Sequence, residues 1–207
     1  MKKGAEDFIV NLIGVIPLVL GILAVFNSFQ NGNPSQILWL CYMGMILMGL
    51  GIILRKSFLV MSQIYILAIP LLIWDVDFIY YLATKKFLLG ITNYFFVNPE
   101  LNLGKIISLQ HLVTIPMSVY AVYLIGLKRK DAWKLSALQI ILAFLLVFFL
   151  TPPEANINCV FKACVDFSFG APYQFEWFLA SFGMIAFSVF VLNNFFFRKL
   201  KFRERFV

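Results

Sequence analysis

The chain has 207 residues, of which 62% are apolar and 13% charged, and its mean hydropathy is +0.90. A water-soluble domain typically carries about 25% charged residues, so this composition excludes one. The net charge of +7 sits in short basic clusters between apolar runs. No continuous basic face exists to follow a phosphate backbone, which argues against nucleic acid as a partner.

Roughly 20 consecutive apolar residues cross a bilayer as a helix, and the sequence offers six such stretches. Together they predict a single integral membrane domain over residues 1–207, an all-α polytopic transmembrane bundle. The first span is expected at residues 8–27; its run is too long for the apolar region of a cleavable signal peptide. The polar segment SFQNGNPSQ turns the chain, and a second span follows at 37–54, closed by Arg55-Lys56. The third covers 57–81, with Pro70 a possible bend. Residues 87–97 (FLLGITNYFFV) are apolar but cover only ~16 Å as a helix, about half the hydrocarbon thickness. They are expected to form a short interfacial or re-entrant helix. The fourth span is placed at 104–127, the fifth at 133–150 and the sixth at 174–197. Cys159 and Cys164 lie in the loop before the last span.

Counting lysine and arginine orients these six spans. Lys2, Lys3, Arg55, Lys56, Lys128, Arg129, Lys130, Lys134 and five residues after Phe197 fall on one side; Lys85, Lys86, Lys105 and Lys162 fall on the other. The positive-inside rule then puts both termini in the cytoplasm. The expected location is a prokaryotic plasma membrane. Treating residues 87–97 as a seventh span would put the richest basic clusters outside.

With that orientation, sequence positions become depths. Cys41 lies about one turn below the outer surface, Asp75 and Asp77 lie at the outer end of span three, His111 lies roughly 10 Å down by helical rise, and Glu176 lies near the same surface. The single histidine thus shares one side of the bilayer with a cysteine and two acids. Cys41 alone would read as a small buried hydrophobe. His111 asks for more explanation, because ionisable groups inside membranes usually face the bundle interior. It heads a polar stripe with Thr114 and Ser118, at helical spacing; an interhelical hydrogen bond is the plainer reading. Thiol and imidazole together are the usual means of activating a nucleophile near neutral pH, with Asp75 or Asp77 available to orient the ring. The two acids are two residues apart and cannot share a helix face. Cys159 and Cys164 are a disulfide candidate where the compartment permits one, or else free thiols. No cofactor motif and no clustered metal ligands are visible.

A family resemblance attaches to these positions. The segment ISLQHLVTIPMSVYAVYL, with His111 five residues before Pro116, resembles the His-containing helix of the androgen-induced membrane hydrolases. The chain is more similar still to bacterial integral membrane proteins related to the Cys-dependent transmembrane acyltransferase of ether-phospholipid synthesis. There Leu38-Trp39-Leu40-Cys41, Asn156-Ile157-Asn158 and Gly170-Ala171-Pro172-Tyr173 carry the likeness, which spans residues 38–192. The resemblance implies Cys41 as nucleophile and His111 as general base. It departs from the hydrolase branch in holding Cys41, or a neighbour, at that branch's Thr position and in a reduced His motif.

The function expected is an intramembrane acyl hydrolase or acyltransferase acting on membrane lipid esters. A transporter with His111, Asp75, Asp77 and Gln63 along its path is a second reading, although neither an internal repeat nor paired broken helices show in the sequence. A non-catalytic scaffold is a third, because Cys41, Gly44, Met48 and Gly51 make a small-residue face suited to close packing.

Overall fold

The computed structural model describes residues 3–98, 100–127, 129, 131–165 and 170–197. Lys2, Lys128, Lys130 and the tail from Arg198, all used in the charge count, lie outside the described residues. The long hydrophobic runs become helix, since a bilayer leaves backbone polar groups no other partner than their own segment. The helices are α1 (Lys3–Gln30), α2 (Leu40–Ile53), α3 (Ser57–Thr84), α4 (Asn93–Phe96), α5 (Leu103–Ser108), α6 (His111–Ile125), α7 (Ala132–Leu150) and α8 (Tyr173–Val191), with no strand among the described residues. Among the described residues, four segments are long and apolar enough to cross a membrane: Gly4–Gln30, Ser57–Thr84, Ala132–Leu150 and Tyr173–Phe195. The apolar helices Leu40–Ile53 and His111–Ile125 are shorter. The architecture fits a helical membrane bundle.

α1 and α2 form an antiparallel hairpin built on glycines. A Cβ on Gly49 would lie 2.7 Å from the Gly14 carbonyl oxygen and 2.7 Å from the Leu18 nitrogen, and one on Gly21 would lie 2.6 Å from Ile46. The backbones therefore approach as closely as small residues permit. At the α2 end of the hairpin Arg55 reaches back to Asn11 at 2.9 Å and Asp7 at 3.4 Å. α1 turns Phe8, Leu12, Val15, Val19, Ile22, Phe26 and Phe29 outward, an apolar stripe at helical spacing that suits lipid.

α3 is the central post, running through Pro70 without interruption. Gly44 and Gly51 of α2 face its Leu67 and Val60, so these two helices are antiparallel as well. On another side Ser136 Oγ of α7 donates to the Ser62 carbonyl at 2.9 Å, and Gln63 Nε2 donates to Gln139 at 3.0 Å. Tyr65 donates to Asn193 beyond α8 at 3.2 Å. These buried polar pairs join apolar helices where hydrophobic contrast cannot.

The two short helices each begin at a break, which corrects the absence of paired broken helices in the sequence reading. A 3-10 turn, Pro34–Leu38, precedes α2, and Trp39 (φ −58°, ψ 126°) separates the two. α5 passes into α6 through Leu109 and Gln110, whose ψ values of −14° and −26° tighten the helix. Neither break contains glycine or proline, so ordinary punctuation signals are missing. Residues 87–97 also differ from the single helix expected. Only Asn93–Phe96 is helical, and the rest is a loop folded against the C-terminal half of α3.

Candidate functional site

Met48 of α2 meets Ser118 of α6, whose hydroxyl is directed at the thioether sulfur. Cys41 precedes Met48 by seven residues, as His111 precedes Ser118. Seven residues are two turns to within about 20° and rise about 10 Å. Both helices run antiparallel to α3, since α6 brings His111 to Trp74 while α2 brings Gly44 to Leu67. α2 and α6 are therefore parallel to each other. By that register Cys41 and His111 stand at about the same level of two parallel helices, each two turns before the Met48–Ser118 contact.

The break before α6 fixes the imidazole. Leu112 N–H donates to the Leu109 carbonyl instead of reaching back four residues, and the Ser108 carbonyl is freed from the helical ladder. His111 Nδ1 takes that position, 2.5 Å from the oxygen. A carbonyl only accepts, so Nδ1 carries the hydrogen and Nε2 of the neutral ring is the bare nitrogen. Trp74 stacks on the ring, with centroids 4.6 Å apart and planes 21° from parallel. The ring is thus oriented by a carbonyl and an indole, and neither aspartate partners it.

Around the imidazole and Trp74 lies an aromatic cap. Phe95 meets Trp74 and Phe78 edge-on, at 6.4 and 5.1 Å between centroids, and Phe96 stacks on Tyr81 at 4.0 Å. Trp74 Nε1 donates to the Tyr94 hydroxyl at 3.1 Å, Tyr94 donates to Ser108 Oγ at 3.0 Å, and Ser108 donates to the Gly104 carbonyl at 2.9 Å. Burial pushes the Tyr94 phenol above its ordinary range. Lys105 is buried beneath the cap, donating to the Asn98 carbonyl with its ammonium 5.6 Å from the centre of Phe95.

Asp77 serves the loop. Its Oδ1 accepts from the N–H groups of Leu88 (2.9 Å), Leu89 (2.7 Å) and Gly90 (3.2 Å), while Oδ2 accepts from Thr92 N–H (2.9 Å) and its hydroxyl (2.7 Å). One fully buried carboxylate thus folds five residues of non-helical backbone down onto α3. Asp75 is half-buried, and its Oδ1 is enclosed without a hydrogen-bond partner. Gln110 Nε2 is likewise enclosed and unpartnered, although its side-chain oxygen accepts from Thr114. Glu176 is buried and accepts from Ala171 N–H at 2.9 Å, which secures the entry to α8.

Cys41, the free cysteine, is the second residue of α2 and half-buried. Tyr42 N–H is held by the Trp39 carbonyl at 3.0 Å, whereas no carbonyl among the described residues takes the Cys41 N–H. Above it, Cys159 and Cys164 are joined by a disulfide. The loop that carries this bridge donates one side chain to the break in α2. Asn158 Oδ1 accepts from Leu40 N–H at 3.0 Å, and Asn158 Nδ2 donates to the Leu38 carbonyl at 2.8 Å.

No protein-family model, curated protein or solved structure matches the chain. The site's meaning therefore rests on its own chemistry. No group of three or more His, Cys, Asp or Glu side chains able to hold a metal ion occurs among the described residues. Trp74, Tyr94, Ser108 and Asn158 were not singled out as site residues from sequence. Asn158 was visible there only as part of a family-like Asn-Ile-Asn motif, and the others carry no signal until the backbone breaks are known.

Proposed function

We propose that the chain is a six-span membrane enzyme that transfers acyl groups from lipid esters through Cys41, with His111 as general base. The observation that carries this reading is the common register of α2 and α6, anchored where Ser118 meets Met48. Nε2 is the nitrogen able to accept a proton, because Nδ1 is engaged by Ser108. In the first step the Cys41 S–H proton passes to Nε2 while sulfur attacks the ester carbonyl carbon. The carbon–sulfur bond forms, the ester carbon–oxygen bond breaks, and the departing alkoxide leaves with the proton from His111. The developing oxyanion sits beside sulfur, where the Cys41 N–H lacks a carbonyl partner, and a preformed donor there lowers the barrier. Water completes hydrolysis; a lysolipid hydroxyl completes transfer. The resemblance to Cys-dependent membrane acyltransferases points the same way.

The shorter helices are counted as spans on length. The turn Pro34–Leu38 with α2, and α5 with α6, each extend ~30 Å or more, enough for the hydrocarbon core. The cytoplasmic placement of both termini follows from the basic residues, and the Cys159–Cys164 bridge supports an oxidising outer side. A prokaryotic plasma membrane is the proposed setting.

The test is acylation of purified protein by a long-chain p-nitrophenyl ester. Wild type should release a burst of p-nitrophenolate and carry the acyl group on Cys41. Cys41→Ala should abolish the burst, and His111→Ala should slow it by about 10²-fold or more. An undiminished burst in both variants would refute the mechanism. One observation favours transport instead: two parallel helices broken at one level, an arrangement found around transporter sites. Solute uptake by proteoliposomes that survives Cys41→Ala would favour that reading.

A further inference from the structure

Helix α2 begins where it does because a side chain from 118 residues away holds it open. In a continuous helix Leu40 N–H would bond to the Gln36 carbonyl, Cys41 N–H to Ile37 and Tyr42 N–H to Leu38. Instead the Gln36 carbonyl is taken by Trp39 N–H at 3.1 Å, and Tyr42 N–H turns to Trp39. Four groups thereby lose their helical partners, the Leu40 and Cys41 N–H and the Ile37 and Leu38 carbonyls; the Leu40 N–H and the Leu38 carbonyl are the orphaned pair that face Asn158. In apolar surroundings such groups find partners or the conformation is lost. The Asn158 amide has one acceptor and one donor face, as a peptide group does, and satisfies both orphans at once.

Asn158 is itself held from three sides. Trp177 Nε1 of α8 donates to its carbonyl at 2.9 Å. The bridge to Cys164 begins at the next residue, whose carbonyl accepts from Tyr173. Asn156 Oδ1 accepts from Phe161 and Lys162 N–H at 3.1 and 3.0 Å, and its Nδ2 donates to the Lys162 carbonyl at 3.0 Å. Asn156, Asn158 and Cys159 have φ values of 43°, 53° and 57°. Three left-handed non-glycine residues within four positions persist only when their surroundings impose them.

We propose that Asn158 is a positioning residue for Cys41, keeping the first turn of α2 open so that the Cys41 N–H stays free for an acyl oxyanion. The proposal rests on the acyl-transfer reading and adds to it a residue that touches neither sulfur nor imidazole. If the clamp is removed, the turn closes and the Ile37 carbonyl claims the Cys41 N–H. The thiol remains in place and loses its oxyanion donor.

Two reactions of one sulfur separate these roles. Acylation by a p-nitrophenyl ester passes through an oxyanion, whereas alkylation by iodoacetamide is a direct displacement at carbon and forms none. Both are measured on the purified full-length chain, with the disulfide intact. Asn158→Gly preserves the left-handed backbone and removes the clamp. It should slow acylation of Cys41 by about 10²-fold and leave the alkylation rate within about twofold of wild type. Asn158→Asp keeps the acceptor for Leu40 N–H and loses the donor to Leu38, and should fall between the two. Wild-type acylation in Asn158→Gly overturns the proposal, and so does an equal loss of acylation and alkylation, which marks a displaced thiol. Should Asn158→Gly fail to fold, Asn158→Asp decides, and a wild-type acylation rate there overturns the proposal. A wild-type protein with no Cys41-dependent burst sinks the enzyme reading and this proposal with it. A burst insensitive to Asn158 sinks this proposal alone.

Discussion

At the level of single residues, the break between α5 and α6 shows how a side chain acquires its chemistry from the backbone. The Ser108 carbonyl loses its helical partner and the His111 ring supplies the missing hydrogen, which decides the tautomer. Tyr94 is the keystone of the surrounding contacts, because it accepts from Trp74 and donates to Ser108. Tyr94→Phe leaves an indole N–H without an acceptor, and is expected to lower stability by about 1–3 kcal/mol, measured by thermal unfolding in detergent. Asp77→Ala is expected to be more severe. It strands a set of loop N–H groups that share one carboxylate, so a loss on the order of 3 kcal/mol follows. The amides of Leu88, Leu89, Gly90 and Thr92 should then exchange with solvent hydrogen together. Slow exchange persisting at all four would show that Asp77 does not hold the loop. Sequence placed Asp75, Asp77, Cys41 and His111 toward one side of the bilayer but could not assign partners among them. A helical period tells which way a residue points, whereas the five donors of Asp77 come from a loop with no period at all.

The helices themselves were legible in proportion to their length. Spans expected at 57–81 and 133–150 correspond to Ser57–Thr84 and Ala132–Leu150, because long apolar runs have one solution in a bilayer. Residues 87–97 were not readable in this way. Their apolar side chains cover Trp74, Phe78 and Tyr81, so the hydrophobicity reports tertiary packing instead of a helix. The breaks at Trp39 and Gln110 escaped for a related reason, since their determinants are Asn158 and the His111 ring. The α1–α2 joint, by contrast, is written in glycines. Gly49→Ala places a methyl group against backbone on the opposite helix and should destabilise by about 1–3 kcal/mol, read by denaturation in mixed micelles. Gly183→Ala is the control, because its added carbon meets nothing within 4 Å; it should be neutral or slightly stabilising through helix propensity. Equal effects at the two positions would discount close approach as the reason for Gly49.

For the whole molecule, charge and redox chemistry together underlie the proposed sidedness. The end of the bundle carrying Arg55 and Lys56 is opposite the end where Asn158 and the disulfide meet α2. In intact cells, with Cys41 replaced by Ala, a membrane-impermeant maleimide should label Leu101→Cys and spare Lys56→Cys until the membrane is opened. The reverse pattern would invert the proposed orientation.

The glycine contact between α1 and α2 also restricts traffic. Two backbones already at their minimum separation leave no seam for a hydrocarbon tail to part, so the hairpin presents a closed wall to the bilayer. On the proposed acyl-transfer reading, a fatty chain bound for Cys41 has to slip in sideways along another helix boundary, and bulky substitutions on that route should discriminate among acyl lengths while changes along the α1–α2 wall should not.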